Sequence, residues 1–378
     1  MIFFVLFISI TYYILIILLI IGFEKVSVFV TDISKNSELQ KFTILIPFRN
    51  EAKNIANIAN SLSKLNYPIS HFEIIWINDQ STDNSVPLLT EFIIKNHHWK
   101  MIDNQRKSNS PKKDAISTAI RQANNEWVVT TDADCIVPMN WLHSFNQYLI
   151  SQKKQIKMIA APVAYQVNNT FLQQFQHIDF LSLIGTTIGA FGMHNPFMCN
   201  GANLCYSKQT FFEVNGFDGN DTISSGDDVF LLEKFHEKYP KEIFYLKSKD
   251  AIVYTKPVET IKKLVNQRIR WASKTSSTKN IFSKIVGILV LLMNVITIFL
   301  LIYGLINLLF GFVIVGLKFL IMVLMKSTID YLLINKTAVF TNQQVKLKDY
   351  LLSALLYPFF VTYVFIRSLT KKSVWKGR

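Results

Sequence analysis

Two long apolar blocks frame a stretch of mixed composition in this 378-residue chain. Residues 1–23 are almost uninterrupted Ile, Leu, Phe, Tyr and Val, and residues 285–325 are similarly apolar. A helix of about 20 such residues is long enough to cross the roughly 30 Å hydrocarbon core of a bilayer. The pattern predicts a transmembrane anchor at 1–23, a polar linker at 24–41 and a C-terminal membrane region at 281–378.

The N-terminal block has an alternative interpretation as a cleaved secretory signal. It lacks a Lys/Arg-rich start, and its apolar run is longer than the usual signal core, which favours an uncleaved anchor. In the C-terminal region, 285–303 and 304–325 predict two helices joined at Gly304, with Lys318 reaching toward the membrane surface. Residues 350–366 predict a third, short and interrupted by Pro358, so the region holds about two to three helices and a basic tail.

Between the blocks, short apolar runs alternate with segments of helical periodicity. The runs predict strands at 42–47, 72–77, 99–102 and 127–131, and the periodic segments predict helices at 50–65, 85–95 and 113–123. Such alternation predicts an α/β fold with a doubly wound, Rossmann-like sheet that binds ligands at the carboxyl ends of its strands. We assign this domain to 42–280. Within it, 171–198 is apolar but broken by polar residues and glycines, which predicts a helical segment at the acceptor side or on the membrane surface.

The formal charge of +14 is concentrated beside the apolar blocks. The basic residues that precede the second block or close the chain are Lys262, Lys263, Arg268, Arg270, Lys274, Lys279, Lys284, Lys371, Lys372, Lys376 and Arg378. The positive-inside rule then places the central domain in the cytoplasm, on an integral protein of the cytoplasmic membrane. Anionic headgroups account for such cations, so the charge does not indicate a nucleic-acid partner.

Two carboxylates stand on alternate positions just past the 127–131 strand, at Asp132 and Asp134. Their side chains are able to converge on one hard cation, Mg²⁺ or Mn²⁺, bridged to phosphate oxygens. The alternative is a turn in which paired aspartates satisfy backbone N–H groups.

Polar side chains also follow the first two predicted strands. Arg49 and Glu51 come after the first, and Asp79 and Ser81 after the second. Asp79 is placed to accept hydrogen bonds from a base or ribose, as acidic residues at strand ends do in nucleotide sites. The alternative is an N-cap for the next helix, supplied by Ser81 or Asp83.

Two further sets carry candidate chemistry. Asp227 and Asp228 precede a helical pattern, where the helix dipole favours ionised carboxylates, so Asp228 is a candidate general base and helix capping is the alternative. Gln267, Arg270 and Trp271 lie on a predicted helix before the second apolar block. Arg270 is suited to neutralise a diphosphate and Trp271 to pack on a sugar, although an Arg-Trp pair is also typical of a membrane-interface anchor.

Taken in order, these motifs resemble the family 2 glycosyltransferases, in the membrane-bound branch with cellulose, hyaluronan and poly-N-acetylglucosamine synthases and ceramide-type glucosyltransferases. Ile46-Pro47 with Arg49-Asn50-Glu51 is similar to the opening donor-site turn, and residues 78–83 to the uridine-contacting segment. Asp132-Ala133-Asp134 is similar to the metal-binding D-x-D, and Gln267, Arg270 and Trp271 to the Q-x-x-R-W signature.

Other positions match the family less closely. Lys112 and Lys113 fall where the family has a phosphate-facing lysine, and we assign the contact to Lys113, although Ser110-Pro111 replaces the usual glycine. Gly201 and Asn203 resemble the acceptor-side Gly-x-Asn loop, with Asp227 on the same side, and Asp228 matches the general base.

The resemblance implies a GT-A (nucleotide-diphospho-sugar transferase) fold and a metal-dependent, inverting transfer from a nucleotide sugar, mostly a UDP-sugar in this branch, to a lipid or lipid-linked glycan. Alternatives are a processive polysaccharide synthase, disfavoured by the small number of C-terminal helices, and a non-catalytic nucleotide-sugar-binding subunit of an export complex. A non-catalytic subunit would be expected to have lost the base or the metal ligands, but Asp132, Asp134 and Asp228 are all present. A transporter is disfavoured by the large polar block. Neither G-x-S-x-G nor a Walker sequence occurs.

Overall fold

The computed structural model describes residues 2–33, 38–152, 154–220 and 225–370. Outside these ranges lie Ser224, ahead of the paired acids, and the basic tail residues Lys371, Lys372, Lys376 and Arg378. Within them the chain divides into two compact units, which we call the sheet unit and the helical unit. The sheet unit holds residues 26–166 and 196–256, and the helical unit holds residues 2–25, 167–195 and 257–370.

The secondary structure of each unit is as follows. The strands of the sheet unit are β1 (Phe42–Phe48), β2 (Phe72–Asn78), β3 (Trp99–Asp103), β4 (Trp127–Thr130), β5 (Met158–Ala160), β6 (Val163–Tyr165), β7 (Leu204–Ser207), β8 (Ile243–Tyr245) and β9 (Val253–Thr255). The helical unit contains α1 (Ile2–Lys25), α6 (Phe171–Gly192), α9 (Ile261–Ser277), α10 (Ile281–Leu309), α11 (Val313–Phe340) and α12 (Leu347–Thr370), and the sheet unit α2 (Ala52–Leu62), α3 (Ser85–Lys95), α4 (Pro111–Ile120), α5 (Trp141–Ser151), α7 (Lys208–Glu213) and α8 (Val229–Lys238). The alternation predicted for 42–131 is confirmed to within a few residues at each end.

One mixed sheet, in the order β3-β2-β1-β4-β7-β5-β8, forms the centre of the sheet unit. β1 is parallel to β2 and to β4, and β2 is parallel to β3. β7 runs antiparallel between β4 and β5, and β6 and β9 pair in a separate small sheet. Because β1, β2 and β4 are parallel, their carboxyl ends meet at one edge of the sheet, where the predicted donor site should lie.

The core of the sheet unit is built on β1, in which every residue is buried. A strand in the middle of a parallel set is covered on both faces and therefore reads as a continuous apolar run. α2 buries Ile55, Ile58, Ala59 and Leu62, which lie three or four positions apart and so form one face of the helix. Each fully buried aliphatic side chain of this kind contributes about 1.5–3 kcal/mol.

The helical unit carries the apolar blocks. Within the described part of the chain, α1, α10 and α12 are long and apolar enough to cross a membrane. α1 corresponds to the predicted anchor, and α12 runs without a break through Pro358. α6 covers most of the segment at 171–198, which was predicted to be helical, and belongs to this unit.

The reversal between α10 and α11 lies at Gly311, which has a φ of +80°, and not at Gly304 as the sequence predicted. Gly304 lies inside α10 and faces Gly316 of α11. A Cβ on Gly316 would lie 2.8 Å from the carbonyl oxygen of Gly304. Gly304 is therefore required for close approach of two helices, a common use of small residues in membrane proteins, and not for a turn.

Glycines also bring α1 and α6 into backbone contact. A Cβ on Gly22 of α1 would collide with the carbonyl oxygen of Gly189 of α6, and a Cβ on Gly192 would collide with the carbonyl oxygen of Gly22. No side chain separates the two helices at this crossing, so α6 is held directly against the predicted membrane anchor.

Charged groups inside the helical unit are paired. Lys326 of α11 is 3% exposed, and its Nζ lies 2.9 Å from Asp330 Oδ2. The Tyr12 hydroxyl of α1 donates to Asp330 Oδ1 at 2.7 Å. Ionisable side chains among apolar helices are costly unless they find such partners.

Candidate active site

The turns that follow β1 and β2 are tied to each other. Asn50 adopts the left-handed conformation, with a φ of 52°. Its Oδ1 accepts a hydrogen bond from the Thr82 amide at 2.8 Å, and its own amide donates to Ser81 Oγ at 3.2 Å. Ser81 therefore joins the two predicted donor-site turns.

Pro47 and Glu51 flank the turn that follows β1. Pro47 lies within β1, opposite Ile77 of β2. The Glu51 amide donates to Ser85 Oγ at 2.7 Å, and its carboxylate accepts from Asn54 Nδ2 at 2.6 Å. Pro47 thus lies near the carboxyl end of β1, and Glu51 lies directly before α2.

The capping alternative for this segment applies to Asp83. Its Oδ1 accepts from the Ser85 amide at 3.0 Å at the start of α3, and its Oδ2 accepts from the Ala52 amide at 3.1 Å at the start of α2. Burial acts to raise the pKa of Asp83, but the hydrogen bonds from Ser85 and Ala52 outweigh it and hold the pKa below its ordinary value. Asp83 thus supports both helix starts.

Asp79, at the end of β2, is the centre of a buried charge cluster. Its side chain is 1% exposed, and Arg106 approaches it with Nε 2.6 Å from Oδ1 and Nη2 2.6 Å from Oδ2. Asn104 Nδ2 donates to the same Oδ1 at 2.8 Å, and Arg49 Nη1 lies 3.6 Å from Oδ2. The fork geometry of Arg106 is that of a strong bidentate pair.

Sequence reasoning did not select Arg106. It follows β3, which is parallel to β2, so the strand-end rule that selected Asp79 applies to it as well. The cluster brings the predicted residues Arg49 and Asp79 together and adds a second guanidinium.

A second cluster forms where β4 ends. The ammonium of Lys112, on α4, lies 2.6 Å from Asp132 Oδ1 and 3.0 Å from Asp227 Oδ2. The side chains of Lys112 and Asp227 are 16% and 10% exposed, and that of Asp132 is 36% exposed. Acids from two distant parts of the sequence therefore converge on one cation, and we call this set the lysine-bridged cluster.

The electrostatics of this cluster favour a permanently charged lysine. Burial acts to lower the pKa of Lys112, but the carboxylates of Asp132 and Asp227 outweigh it and hold the pKa well above its ordinary value. The ammonium thus stays charged at neutral pH.

Asp228 and Gly201 adjoin the lysine-bridged cluster. The Gly201 amide lies 3.4 Å from Asp228 Oδ2, and Asp228 Oδ1 accepts from the Val229 amide at 2.8 Å at the start of α8. A Cβ on Gly201 would lie 2.7 Å from Asp227 Oδ2 and 3.5 Å from Lys112 Nζ. Glycine is needed here because the acids pack directly on the loop backbone, and Asp228 is both a helix cap and a member of the acid group.

The two adjacent lysines have different surroundings. Lys113 is 1% exposed, its Nζ donates to the Asn220 carbonyl at 2.6 Å, and it lies 4.7 Å from the ring centre of Phe230. Lys112, one residue earlier on the helix, faces the acids. The structure thus brings Lys112 into the acid cluster and directs the predicted Lys113 toward other protein groups.

Asn203, predicted on the acceptor side, is fully buried. Its Nδ2 donates to the carbonyls of Pro162 and Ala251 at 2.7 Å each, and its Oδ1 accepts from Trp141 Nε1 at 2.9 Å. These bonds join β6, the segment before β9 and α5, so the Asn203 side chain shapes the loop that carries Gly201.

Asp134 has a different setting from Asp132. It lines a small open cleft, and Cys135 Sγ lies 3.8 Å from its Oδ1. The other residues that line the cleft are mostly polar: Asn54, Asn57, Ile136, Gln166, Tyr254, Thr255 and Lys256. Asp132 thus contacts the Lys112 ammonium, whereas Asp134 lines the cleft.

The donor set at the lysine-bridged cluster suits a hard divalent cation. Carboxylate oxygens of Asp132 and Asp227 already surround one cationic group, the Lys112 ammonium. Among the residues that the structure describes, no three Asp, Glu, His or Cys side chains form a group able to hold a metal. Mg²⁺ commonly binds through one or two carboxylates and completes its coordination with substrate phosphates and water, so the residues present fit such an ion.

The two clusters occupy neighbouring positions at the sheet edge. Asp79 follows β2 and Asp132 follows β4, and β1 lies between those strands. At about 4.8 Å per strand, the two strand ends stand roughly 10 Å apart. The Asp79 cluster, which the sequence predicted as the nucleotide side, and the lysine-bridged cluster therefore share one edge of the sheet but form separate contact groups.

Gln267, Arg270 and Trp271 lie on α9, in the helical unit. Arg268, between them, donates through Nη1 to Gln267 Oε1 at 2.5 Å, and its guanidinium lies 4.0 Å from the ring centre of Trp271. Gln267 and Trp271 thus both contact Arg268, which lies between them on α9.

The sequence of this chain is similar to proteins of known family. Residues 43–211 match the family model for glycosyl transferase family 2. The poly-beta-1,6-N-acetyl-D-glucosamine synthase of Staphylococcus epidermidis is 28% identical over 246 residues, which cover 63% of this chain and 55% of that protein. The synthase of Staphylococcus aureus (strain COL) is 28% identical over 245 residues, covering 62% and 54%. The chain thus spans about half the length of the curated relatives it matches.

A solved structure resembles the fold over nearly the whole chain. The mannosyltransferase PcManGT of Pyrobaculum calidifontis, in complex with GDP-Man and Mn²⁺, has a TM-score of 0.56 and 14% sequence identity, and the match covers 97% of this chain and 95% of that one. The likeness shows the fold, and the predicted α/β fold of the GT-A type, with apolar N-terminal and C-terminal helices, is confirmed.

Proposed function

We propose that this chain, in which residues 43–211 form a glycosyl transferase family 2 domain, is a membrane-anchored inverting glycosyltransferase. It transfers a sugar from a nucleotide diphosphate sugar to a lipid or lipid-linked glycan acceptor at the cytoplasmic face of the membrane. The observation that supports this most directly is the lysine-bridged cluster beside Asp228, at the carboxyl edge of the sheet.

The proposed chemistry is a single displacement. The Asp228 carboxylate takes the proton of an acceptor hydroxyl, the hydroxyl oxygen bonds to C1 of the donor sugar, and the bond between C1 and the diphosphate oxygen breaks. A positioned base of this kind contributes about 10²- to 10⁴-fold in rate. The start of α8 supports the role, since the helix dipole and the Val229 amide favour an ionised carboxylate there.

Positive groups balance the diphosphate. Lys112 lies among the acids and is the sheet unit's candidate for this contact, and Arg270 of α9 is proposed as a second. Asp132 and Asp227, which both contact Lys112, are the proposed carboxylate ligands of Mg²⁺ or Mn²⁺, which when bound would supply positive charge to the phosphate oxygens. The metal-ligand role predicted for Asp134 stays a proposal, tested below with Asp134→Ala. Arg49, Glu51, Asp79 and Ser81 form the proposed nucleotide side.

The donor is proposed to be a UDP-sugar, on the resemblance of Gln267, Arg270 and Trp271 to the Q-x-x-R-W branch. The relatives are named for a polymer of N-acetyl-D-glucosamine, which makes N-acetylglucosamine the first sugar to test. The mannosyltransferase with a similar fold was solved with GDP-Man, so GDP-mannose belongs in the same panel.

A processive polysaccharide synthase is the second candidate, and the names of the relatives favour it. The experiment that separates the two uses the full-length chain in membranes with radiolabelled nucleotide sugars. Label in an organic-extractable fraction supports transfer to a lipid, whereas label in a polymeric fraction supports a synthase. Absence of label in both fractions with every donor contradicts the proposal.

The base assignment is tested with Asp228→Asn. We expect transfer to fall by about 10²- to 10⁴-fold while UDP binding with Mn²⁺ is retained, and we expect Asp134→Ala to weaken both. Glu237→Gln is the matched control, because Glu237 is an exposed acid near the other end of the same helix. Transfer by Asp228→Asn at the level of Glu237→Gln removes Asp228 from the mechanism.

A further inference from the structure

A buried ion pair links α6 to α9 inside the helical unit. Arg268 Nε donates to Asp179 Oδ2 at 2.7 Å, and Nη2 lies 2.6 Å from the same oxygen. The two side chains are 7% and 5% exposed. The Tyr357 side chain of α12 lies beside Asp179, so this carboxylate has neighbours on both α9 and α12.

The same guanidinium contacts two residues of the signature helix. Nη1 donates to Gln267 Oε1 at 2.5 Å, and Cζ of the guanidinium lies over the Trp271 ring, 4.0 Å from its centre. Phe180, which is adjacent to Asp179, also packs near Trp271, with the two ring centres 6.2 Å apart. The rotamer of Arg268 therefore determines where the Gln267 amide and the Trp271 ring lie.

A second contact holds the segment that leads into α9. Gln176 of α6 is fully buried. Its Nε2 donates to the Val258 carbonyl at 2.9 Å, and its Oε1 accepts from the Val258 amide at 2.9 Å. Gln176 and Asp179 are three positions apart and so lie on one face of α6. This face of α6 therefore contacts Val258, ahead of α9, and Arg268, in the middle of α9.

We infer that Asp179 is a positioning residue for the transfer reaction, and that it acts through Arg268 to set the Gln267 and Trp271 side chains. The inference rests on the proposed function, in which α9 presents those side chains to the reaction. Asp179 itself is not placed at the reacting atoms. Its carboxylate pairs with the buried Arg268 guanidinium and so holds that group over the Trp271 ring.

The test uses the full chain in detergent with Asp179→Asn, Arg268→Gln and the double variant. We expect kcat to fall about 10²-fold in each, since a displacement of about 1 Å costs that much, with the donor KM and the UDP affinity unchanged. We expect the double variant to be no slower than the slower single variant, because both changes remove one interaction. Glu259→Gln is the matched control, since it breaks the exposed Glu259–Lys263 pair beside the start of α9, and it should keep full kcat.

A readout independent of turnover completes the test. In protein labelled with 5-fluorotryptophan, the Trp271 resonance is assigned with Trp271→Phe, and we expect Asp179→Asn to shift it while Glu259→Gln leaves it in place. An unmoved Trp271 signal, or losses that multiply in the double variant, overturns the inference. If the unmodified chain transfers no sugar, the proposed function fails, and the fluorine signal still decides whether Asp179 positions Trp271.

Discussion

Replacing Lys112 with methionine keeps the length of the side chain and removes the ammonium that lies between Asp132 and Asp227. Asp227 is then left 10% exposed beside Asp228 and without that cation. Breaking a buried ion pair by removing one partner costs about 3–5 kcal/mol. Since 36% of the Asp132 side chain is exposed, solvent screens part of the loss, and we expect about 2–3 kcal/mol.

For a unit of this size, that loss lowers the melting temperature by roughly 4–12 °C. The measurement is thermal unfolding of the full chain in detergent, with and without Mn²⁺. Because a divalent cation is expected to take the place of the ammonium, Mn²⁺ should raise the melting temperature of Lys112→Met by more than that of the unmodified chain. Lys100→Met is the matched control, since its partner Glu73 lies 3.3 Å away and Lys100 is 38% exposed, and it should change little.

The pH dependence follows from the direction of the pKa shift. The folded-state pKa of Lys112 is raised, so the stabilisation is fully present below the unfolded pKa of about 10.4 and is lost only as the pH rises toward the folded value. The stability difference between the unmodified chain and Lys112→Met should thus stay constant from pH 7 to about pH 10. Equal melting temperatures for the two proteins, or a Mn²⁺ effect no larger in the variant, would refute this account of the cluster.

Three more substitutions have expected outcomes. Gly189→Leu places a side chain against the Leu19 backbone, and we expect loss of folded protein, measured by size-exclusion chromatography in detergent. Asn203→Ala leaves three buried hydrogen-bonding groups without their partner, and should cost at least about 2 kcal/mol in thermal unfolding. Arg106→Gln removes the fork on Asp79 and should lower UDP affinity about tenfold by calorimetry, since a charge-assisted bidentate pair is lost; unchanged affinity would separate Arg106 from the donor site.

Local sequence patterns were enough to predict the secondary structure of the first half of the sheet unit. The elements from β1 to β4 were predictable because each buries an apolar face with the period of its own geometry. β7 was not, because a short strand gives no local sign that it will lie antiparallel between β4 and β5. Gly304 and Gly311 both interrupt apolar sequence, and only the packing of α10 on α11 distinguishes the glycine of a helix crossing from that of a turn.

The candidate site was predictable to a similar extent. The strand-end rule selected Asp79 and Asp132, and the structure places both at one edge of the sheet. Which lysine contacts the acids was harder to predict. Lys112 and Lys113 are neighbours on α4, and side chains one position apart on a helix point about 100° away from each other. Which of them meets the acids depends on how α4 packs, a long-range property that spacing alone does not contain.

The glycine crossing of α1 and α6 bears on how this protein is to be prepared. Workers who want a soluble enzyme commonly delete the first hydrophobic helix. Here that deletion would expose the backbone of α6 at its glycines. Through Gln176 and Asp179, α6 also contacts α9 and the segment before it. We therefore expect a version without α1 to keep the fold of the sheet unit and to lose sugar transfer, because α6 would no longer hold α9 in place.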